Sequence, residues 1–240
     1  MLTVFPVPAV SDVTDEDLGR SMRHYPLVGL VLGALTAGVY FLFSRWTPSM
    51  AAVSLAVVSL VLFSGALHLD GLADMCDGFY KGKTKEEILA VMKDSHSGAM
   101  AVVGIACLFT VKLSLLWSLP PGFIVRTLVL MPMAGRWSMT LLAASSSYAR
   151  PEGGTAKSYV DHAGRTEAVV SSLISVAAGA VFMGLRGLAA LAATALFVWG
   201  FRKYALRKID GVTGDVLGAC GESAECVFLL GVAAGAGGAA

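Results

Sequence analysis

Apolar runs long enough to cross a bilayer alternate along this chain with short polar segments, and the alternation predicts seven helices. A span needs about 20 apolar residues, with about 17 to 25 acceptable. The runs that meet or approach that length cover 26–43, 50–68, 98–118, 123–143, 168–184, 187–201 and 212–238. The fifth and sixth are short and are split by Gly184-Leu185-Arg186-Gly187, which suits a tight hairpin. The seventh carries Asp215, Glu222 and Glu225, which weakens its reading as a span. No internal repeat is evident, and the one low-complexity tract is the Gly/Ala-rich tail. The chain therefore reads as one domain over 1–240, an all-α polytopic integral membrane helix bundle of about six to seven transmembrane helices.

Composition strengthens that picture. The chain is 56% apolar and 15% charged, with a mean hydropathy of +0.72; soluble domains are about a quarter charged. Its 27 glycines suit closely packed transmembrane helices. A net charge of +1 argues against a nucleic-acid partner and leaves the distribution of charge as the useful quantity. Cys76, Cys107, Cys220 and Cys226 form no CxxC pair and no zinc spacing, so they read as reduced thiols. The opening "MLTVFPVPAVSDVTDEDLGR" lacks the basic and long apolar regions of a cleavable signal peptide. Pro6 and Pro8 break any helix there.

The lysines and arginines give an orientation. With the N-terminus in the cytoplasm, the cytoplasmic segments hold Arg20, Arg23, Lys81, Lys83, Lys85, Lys93, Arg150, Lys157, Arg165, Arg202, Lys203, Arg207 and Lys208. The opposite side holds Arg45 and Arg186 only, while Lys112, Arg126 and Arg136 fall within spans. The expectation is a multi-pass protein of the cell inner membrane. Asp70, Asp74, Asp77, Asp94, Asp161 and Asp215 then converge on its cytoplasmic face.

The acids are where chemistry is expected. In "HLDGLADMCDG", residues 68–78, Asp70, Asp74 and Asp77 fall at i, i+4 and i+7, one stripe of a helix. Carboxylates stacked this way repel unless a cation lies among them. Mg²⁺ fits, because it is hard, prefers oxygen, and commonly binds one or two carboxylates together with substrate phosphates. The bland alternative is that these acids cap helices and solvate a turn. In "MKDSHSG", residues 92–98, Asp94 or Ser95 caps the next helix, or Asp94 is a further metal ligand with His96 near enough to move a proton. In "GVTGDVLGACGESAE", Asp215 and Glu222 share nearly one face, and Thr213 and Gly214 leave backbone amides at a helix start for phosphate oxygens. Arg136 lies about two turns, roughly 10 Å, inside its span and is a candidate to meet a carboxylate or a phosphate. Lys112 lies deeper and is expected to snorkel outward.

Three classes of function compete. A Mg²⁺-dependent membrane transferase uses acids at one mouth. A cation-coupled transporter places its sites near the midplane on broken helices. A structural subunit has no need of aspartates at ligand spacing on three segments. The gathering of acids at one face favours the first. CDP-alcohol phosphotransferases share "DGLAD" in part but need an Arg and longer spacing, and aromatic prenyltransferases carry a second aspartate-rich copy that is missing here. A fuller likeness joins "FPVP", "YPLVGLVLGAL", "HLDGLADMCDG", "MKDSHSGAMAVVG", the Lys of "FTVKLSLL", the Arg of "AGRW", "YARPEG" and "GVTGDVLGACGESAE". In these motifs the chain resembles the cobalamin synthase family, the adenosylcobinamide-GDP ribazoletransferases, through nearly its whole length; its N-terminus is shorter than is usual there.

The resemblance implies a reaction. Adenosylcobinamide-GDP would react with α-ribazole or its 5′-phosphate, giving adenosylcobalamin or its phosphate and GMP, with other cobalamin-assembly enzymes as further candidate partners. Phosphoryl transfer of this kind rests on positioning and charge neutralisation. The expected assignment puts Mg²⁺ on Asp70, Asp74 and Asp77, with Asp94 or Asp215 contributing. His68, His96 or a carboxylate takes the hydroxyl proton, and Lys93 and Arg136 neutralise remaining phosphate charge.

Overall fold

The computed structural model describes residues 2–4, 12–94 and 96–235; Pro6, Pro8 and Ser95, singled out above, lie outside them. Ten α-helices follow in order. These are α1 (Asp15–Ser21), α2 (Tyr25–Phe43), α3 (Ser49–Ser64), α4 (Leu67–Lys81), α5 (Lys85–Val91), α6 (Ala99–Ser118), α7 (Pro121–Ala143), α8 (Lys157–His162), α9 (Arg165–Ile209) and α10 (Gly214–Ala234). Four stretches are long and apolar enough to cross a membrane: Asp15–Phe43, α6, α9 and α10. The pair α3 and α4, bent by 90°, counts as a fifth if taken as one span.

The seven predicted runs reconcile with this count through two features. The helix α9 contains the fifth and sixth runs and breaks at Gly184, whose φ of 58° and ψ of −139° suit glycine. Gly179 and Gly187 touch across the break, although eight residues of continuous helix would separate them by about 12 Å. The expected hairpin is therefore present. The other feature is α7, which has the length of a span but carries Arg126, Pro132 and Arg136 and is buried along most of its length.

Packing of α7 against α2 follows from small residues. A Cβ on Gly29 would lie 2.5 Å from the Met133 Cα, and one on Gly33 would meet the carbonyls of Leu128 and Val129. Gly29 and Gly33 form a G-x-x-x-G face that admits a second backbone. Pro132 has no N–H for the Leu128 carbonyl one turn back, and Gly33 covers that carbonyl. Apolar residues such as Leu27, Val31, Val102, Val111, Leu173, Val181 and Leu196 point outward. Lys112, Arg136, Glu222 and Glu225 are buried. Such an inside-out distribution belongs to a membrane protein.

One expectation needs correcting. The second run, 50–68, does not continue straight into the acidic stripe. The helix α3 ends at Gly65 in the left-handed conformation (φ 65°), a common C-terminal cap. Ala66 is also left-handed, at φ 57°. The two residues turn the chain so that α4 starts afresh, with the aspartates on a separate, tilted helix.

Candidate active site

The helix α4 packs tightly on α10. A Cβ on Gly71 would lie 2.8 Å from the Asp215 Cα, and one on Gly218 would lie 3.1 Å from the His68 Cα. This contact brings Asp70 and Asp74 beside Asp215. Asp70 is exposed, while Asp74 and Asp215 are half-buried. Asp74 lies within electrostatic reach of Asp215, Asp70, Asp77 and Arg150.

Thr213 caps α10. Its hydroxyl accepts from the Val216 N–H at 3.3 Å and donates to Asp215 Oδ2 at 3.2 Å. Arg150 Nη2 donates to the same oxygen at 2.9 Å. A short parallel bridge delivers Arg150 to that place. The Ala149 N–H donates to the Val212 carbonyl and the Val212 N–H to that of Ser147, both at 2.9 Å. In the sequence, Arg150 stands out only as a cytoplasmic charge and as part of a family-like motif. The local signal was "YARPEG", but its partner lies 65 residues away.

A pocket of about 110 Å³ opens beside these acids, lined by Tyr25, His68, Asp70, Met139, Tyr159 and Asp215 among others. Gly214 also lines it. Drug-sized ligands need about 300 Å³ or more, so this space suits a small group such as a phosphate.

Beneath it lies a buried ionic tetrad. Lys112 Nζ donates to Glu222 Oε2 and Glu225 Oε2, both at 2.8 Å. Arg136 Nη1 donates to Glu225 Oε1 at 2.6 Å. Lys112 therefore turns inward, 2% exposed, and does not snorkel as expected. Two positive and two negative charges balance, which buried ions require. His68 lies within electrostatic range of Arg136, Glu222 and Lys112.

The remaining predicted residues fall elsewhere. Asp77, though on the same stripe, has its oxygens engaged at the start of α6. It accepts from the Gly98 and Ala101 N–H groups and pairs with Lys81 at 3.3 Å. Asp94 bonds the His96 ring at 2.7 Å and its N–H at 3.0 Å; both residues are exposed. The hydrogen bond from His96 holds the Asp94 carboxyl below the usual carboxylate range. Lys93 pairs with Glu152 and lines a separate surface groove. That bond likewise holds the Glu152 carboxyl low. The structure thus puts His68, Asp70, Gly214 and Asp215 on the pocket lining with Asp74 and Thr213 beside them, and leaves Asp77, Arg136, Asp94, His96 and Lys93 off it.

Among the described residues, no three His, Cys, Asp or Glu side chains stand close enough to enclose an ion by themselves. A pair of neighbouring carboxylates would still suit Mg²⁺, a hard cation commonly held by one or two carboxylates together with substrate phosphates.

A family model described as cobalamin-5-phosphate synthase matches residues 1–233. Three relatives are each named adenosylcobinamide-GDP ribazoletransferase. That of Clostridium novyi is 36% identical over 95% of this chain and 91% of its own length. That of Geotalea daltonii is 38% identical over 95% and 92%, and that of Ectopseudomonas mendocina 39% identical over 97% and 95%. No solved structure matches. With the match running through every helix that shapes the acidic mouth, this chain belongs to the cobalamin-5-phosphate synthase family.

Proposed function

We propose that this membrane protein transfers the adenosylcobinamide-phosphate group of adenosylcobinamide-GDP to α-ribazole or α-ribazole 5′-phosphate. The products are adenosylcobalamin, or its 5′-phosphate, and GMP. The observation that carries the reading is the mouth where Asp70, Asp74, Asp215 and Arg150 meet, in a chain similar over nearly its whole length to relatives named for this activity. A free ribose hydroxyl of the acceptor, other than the 5′ position that carries the phosphate in α-ribazole 5′-phosphate, forms a new bond to the phosphorus attached to cobinamide and gives up its proton. The bond from that phosphorus to the bridging oxygen breaks, and GMP leaves with the electron pair.

A pair among Asp70, Asp74 and Asp215 would hold Mg²⁺ together with substrate phosphate oxygens, and the ion would supply charge neutralisation for the diphosphate. Arg150 orients Asp215 and adds positive charge at the rim. His68, on the pocket wall, would accept the hydroxyl proton through one ring nitrogen while the other remains a donor; His96 is turned to Asp94. The small pocket seats the reacting phosphate, and the corrinoid lies outside it along the open face. Asp77 joins α4 to α6 and supports the stripe from its far end.

Purified protein in detergent should release GMP from adenosylcobinamide-GDP only when α-ribazole or its phosphate and Mg²⁺ are both present. A chelator should abolish turnover, and added Mg²⁺ should restore it. GMP release that persists unchanged in chelator refutes the metal, and no release under any condition refutes the reaction.

The same reading places the acidic mouth in the cytoplasm of the cell, at its inner membrane, because the basic residues crowd that end. A reporter fused after Lys83 or Lys208 should report cytoplasm, and one within 44–49 the far side. A cytoplasmic signal from 44–49 overturns the orientation.

A further inference from the structure

We infer that the unbonded edge of Arg136, held by Glu225 and Lys112, forms with His68 an anion subsite at the pocket floor that grips a phosphoryl oxygen of the diphosphate. The inference rests on the transferase reading and deepens it. An arginine that serves only to neutralise a glutamate usually presents two parallel donors to it, side-on. Here only Nη1 reaches Glu225, through Oε1. The other oxygen of Glu225 is taken by Lys112, which also ties down Glu222.

That arrangement leaves Nε and Nη2 of Arg136 without a hydrogen-bond partner among the described residues, on a side chain 1% exposed. Both ring nitrogens of His68, 3% exposed, are likewise without one. Unmet polar groups at this depth are costly, and they recur where a ligand is to supply the partner. His68 lines the pocket, as does Met139, one turn along α7 from Arg136. His68 therefore borders the space that suits a phosphate, and Arg136 lies behind the lining, within electrostatic range of His68. The edge left free by Glu225 is the fork that fits two phosphate oxygens at once.

Lys112 and Glu225 are thus positioning residues. Lys112 keeps Glu225 Oε2 occupied, so Arg136 cannot close on Glu225 with both arms and consume its own fork. Glu225 fixes the guanidinium by the remaining arm. Glu222 completes the charge balance by accepting from Lys112.

Two variants and one simple probe, inorganic pyrophosphate with Mg²⁺, test this. Arg136→Lys keeps the charge and a single bond to Glu225 but loses the fork. It should fold as the wild type does, bind pyrophosphate at least about tenfold more weakly in a calorimetric titration, and raise the KM for adenosylcobinamide-GDP more than it lowers kcat. Lys112→Met/Glu222→Gln keeps the net charge and frees Glu225 Oε2. Arg136 should then close on Glu225, and pyrophosphate affinity should fall by a similar factor although Arg136 is still present.

A folded Arg136→Lys protein with wild-type pyrophosphate affinity and KM overturns the subsite. If Arg136→Lys does not fold, the double variant decides, and wild-type pyrophosphate affinity in it overturns the positioning role. Failure of the wild-type protein to bind pyrophosphate also overturns the subsite. The reaction itself is tested separately: wild-type protein that binds pyrophosphate yet releases no GMP refutes the transferase reading and keeps the anion subsite.

Discussion

Asp74→Asn is expected to lower GMP release from adenosylcobinamide-GDP by at least about a hundredfold, the equivalent of about 2.7 kcal/mol of transition-state stabilisation. Asp74 lies one turn from Asp70 on α4 and within electrostatic reach of Asp215. Three other carboxylates, Asp215, Asp70 and Asp77, lie within electrostatic reach of it. Asn keeps the size and removes the charge that the proposed Mg²⁺ would need. The folded yield should hold or rise slightly, because one repulsive charge is gone when no metal is bound. Titration of activity against Mg²⁺ should show a higher requirement as well as a lower maximum. Asp77→Ala provides the contrast. Its carboxylate ties down the Gly98 and Ala101 amides, so its loss should cost about 0.5–2 kcal/mol of stability and leave the Mg²⁺ requirement of the folded fraction unchanged. Wild-type turnover by Asp74→Asn with an unchanged Mg²⁺ curve removes the stripe from the mechanism.

The helices of this protein are legible in its hydropathy, because apolar length is a local property. Runs at 98–118 and 123–143 became Ala99–Ser118 and Pro121–Ala143, and the Gly184 break was visible as a polar interruption. The bend between α3 and α4 was not legible. It depends on two consecutive left-handed residues, and Ala66 carries no sequence signal for that conformation. The site divides along the same line. Asp70 and Asp74 announce themselves by their spacing on one helix, and Asp215 by its position at the next helix start. Asp77 shares the spacing, but a neighbouring helix start claims it. Lys112 looked as if it would snorkel because its partners, Glu222 and Glu225, stand more than a hundred residues away. Hydropathy can place a charge at depth, but only packing decides what it meets there.

Gly71→Leu should be nearly as damaging as loss of Asp74, although it removes no charged group. A Cβ at position 71 would lie 2.8 Å from both the Cα and the carbonyl oxygen of Asp215. Backbone atoms cannot swing aside as a side chain can, so α4 and α10 must separate. Overpacking of this kind costs about 1–3 kcal/mol, occasionally more, and its geometric effect falls on the pair of helices that bring Asp70 and Asp74 to Asp215. A shift of about 1 Å in positioned groups is enough to cost about a hundredfold in rate. The expected result is therefore a loss of about a hundredfold in GMP release per folded molecule, with Gly71→Ala intermediate at roughly tenfold on the same positioning argument. Gly38→Leu controls for the substitution itself. A Cβ there meets nothing within 4 Å, Gly38 is exposed on α2, and this variant should keep full activity. Size-exclusion chromatography in detergent gives the folded fraction against which each rate is scaled. If Gly71→Leu is folded and turns over as Gly38→Leu does, close approach of α4 to α10 is not what assembles the site, and the acids must meet their substrate in some other arrangement.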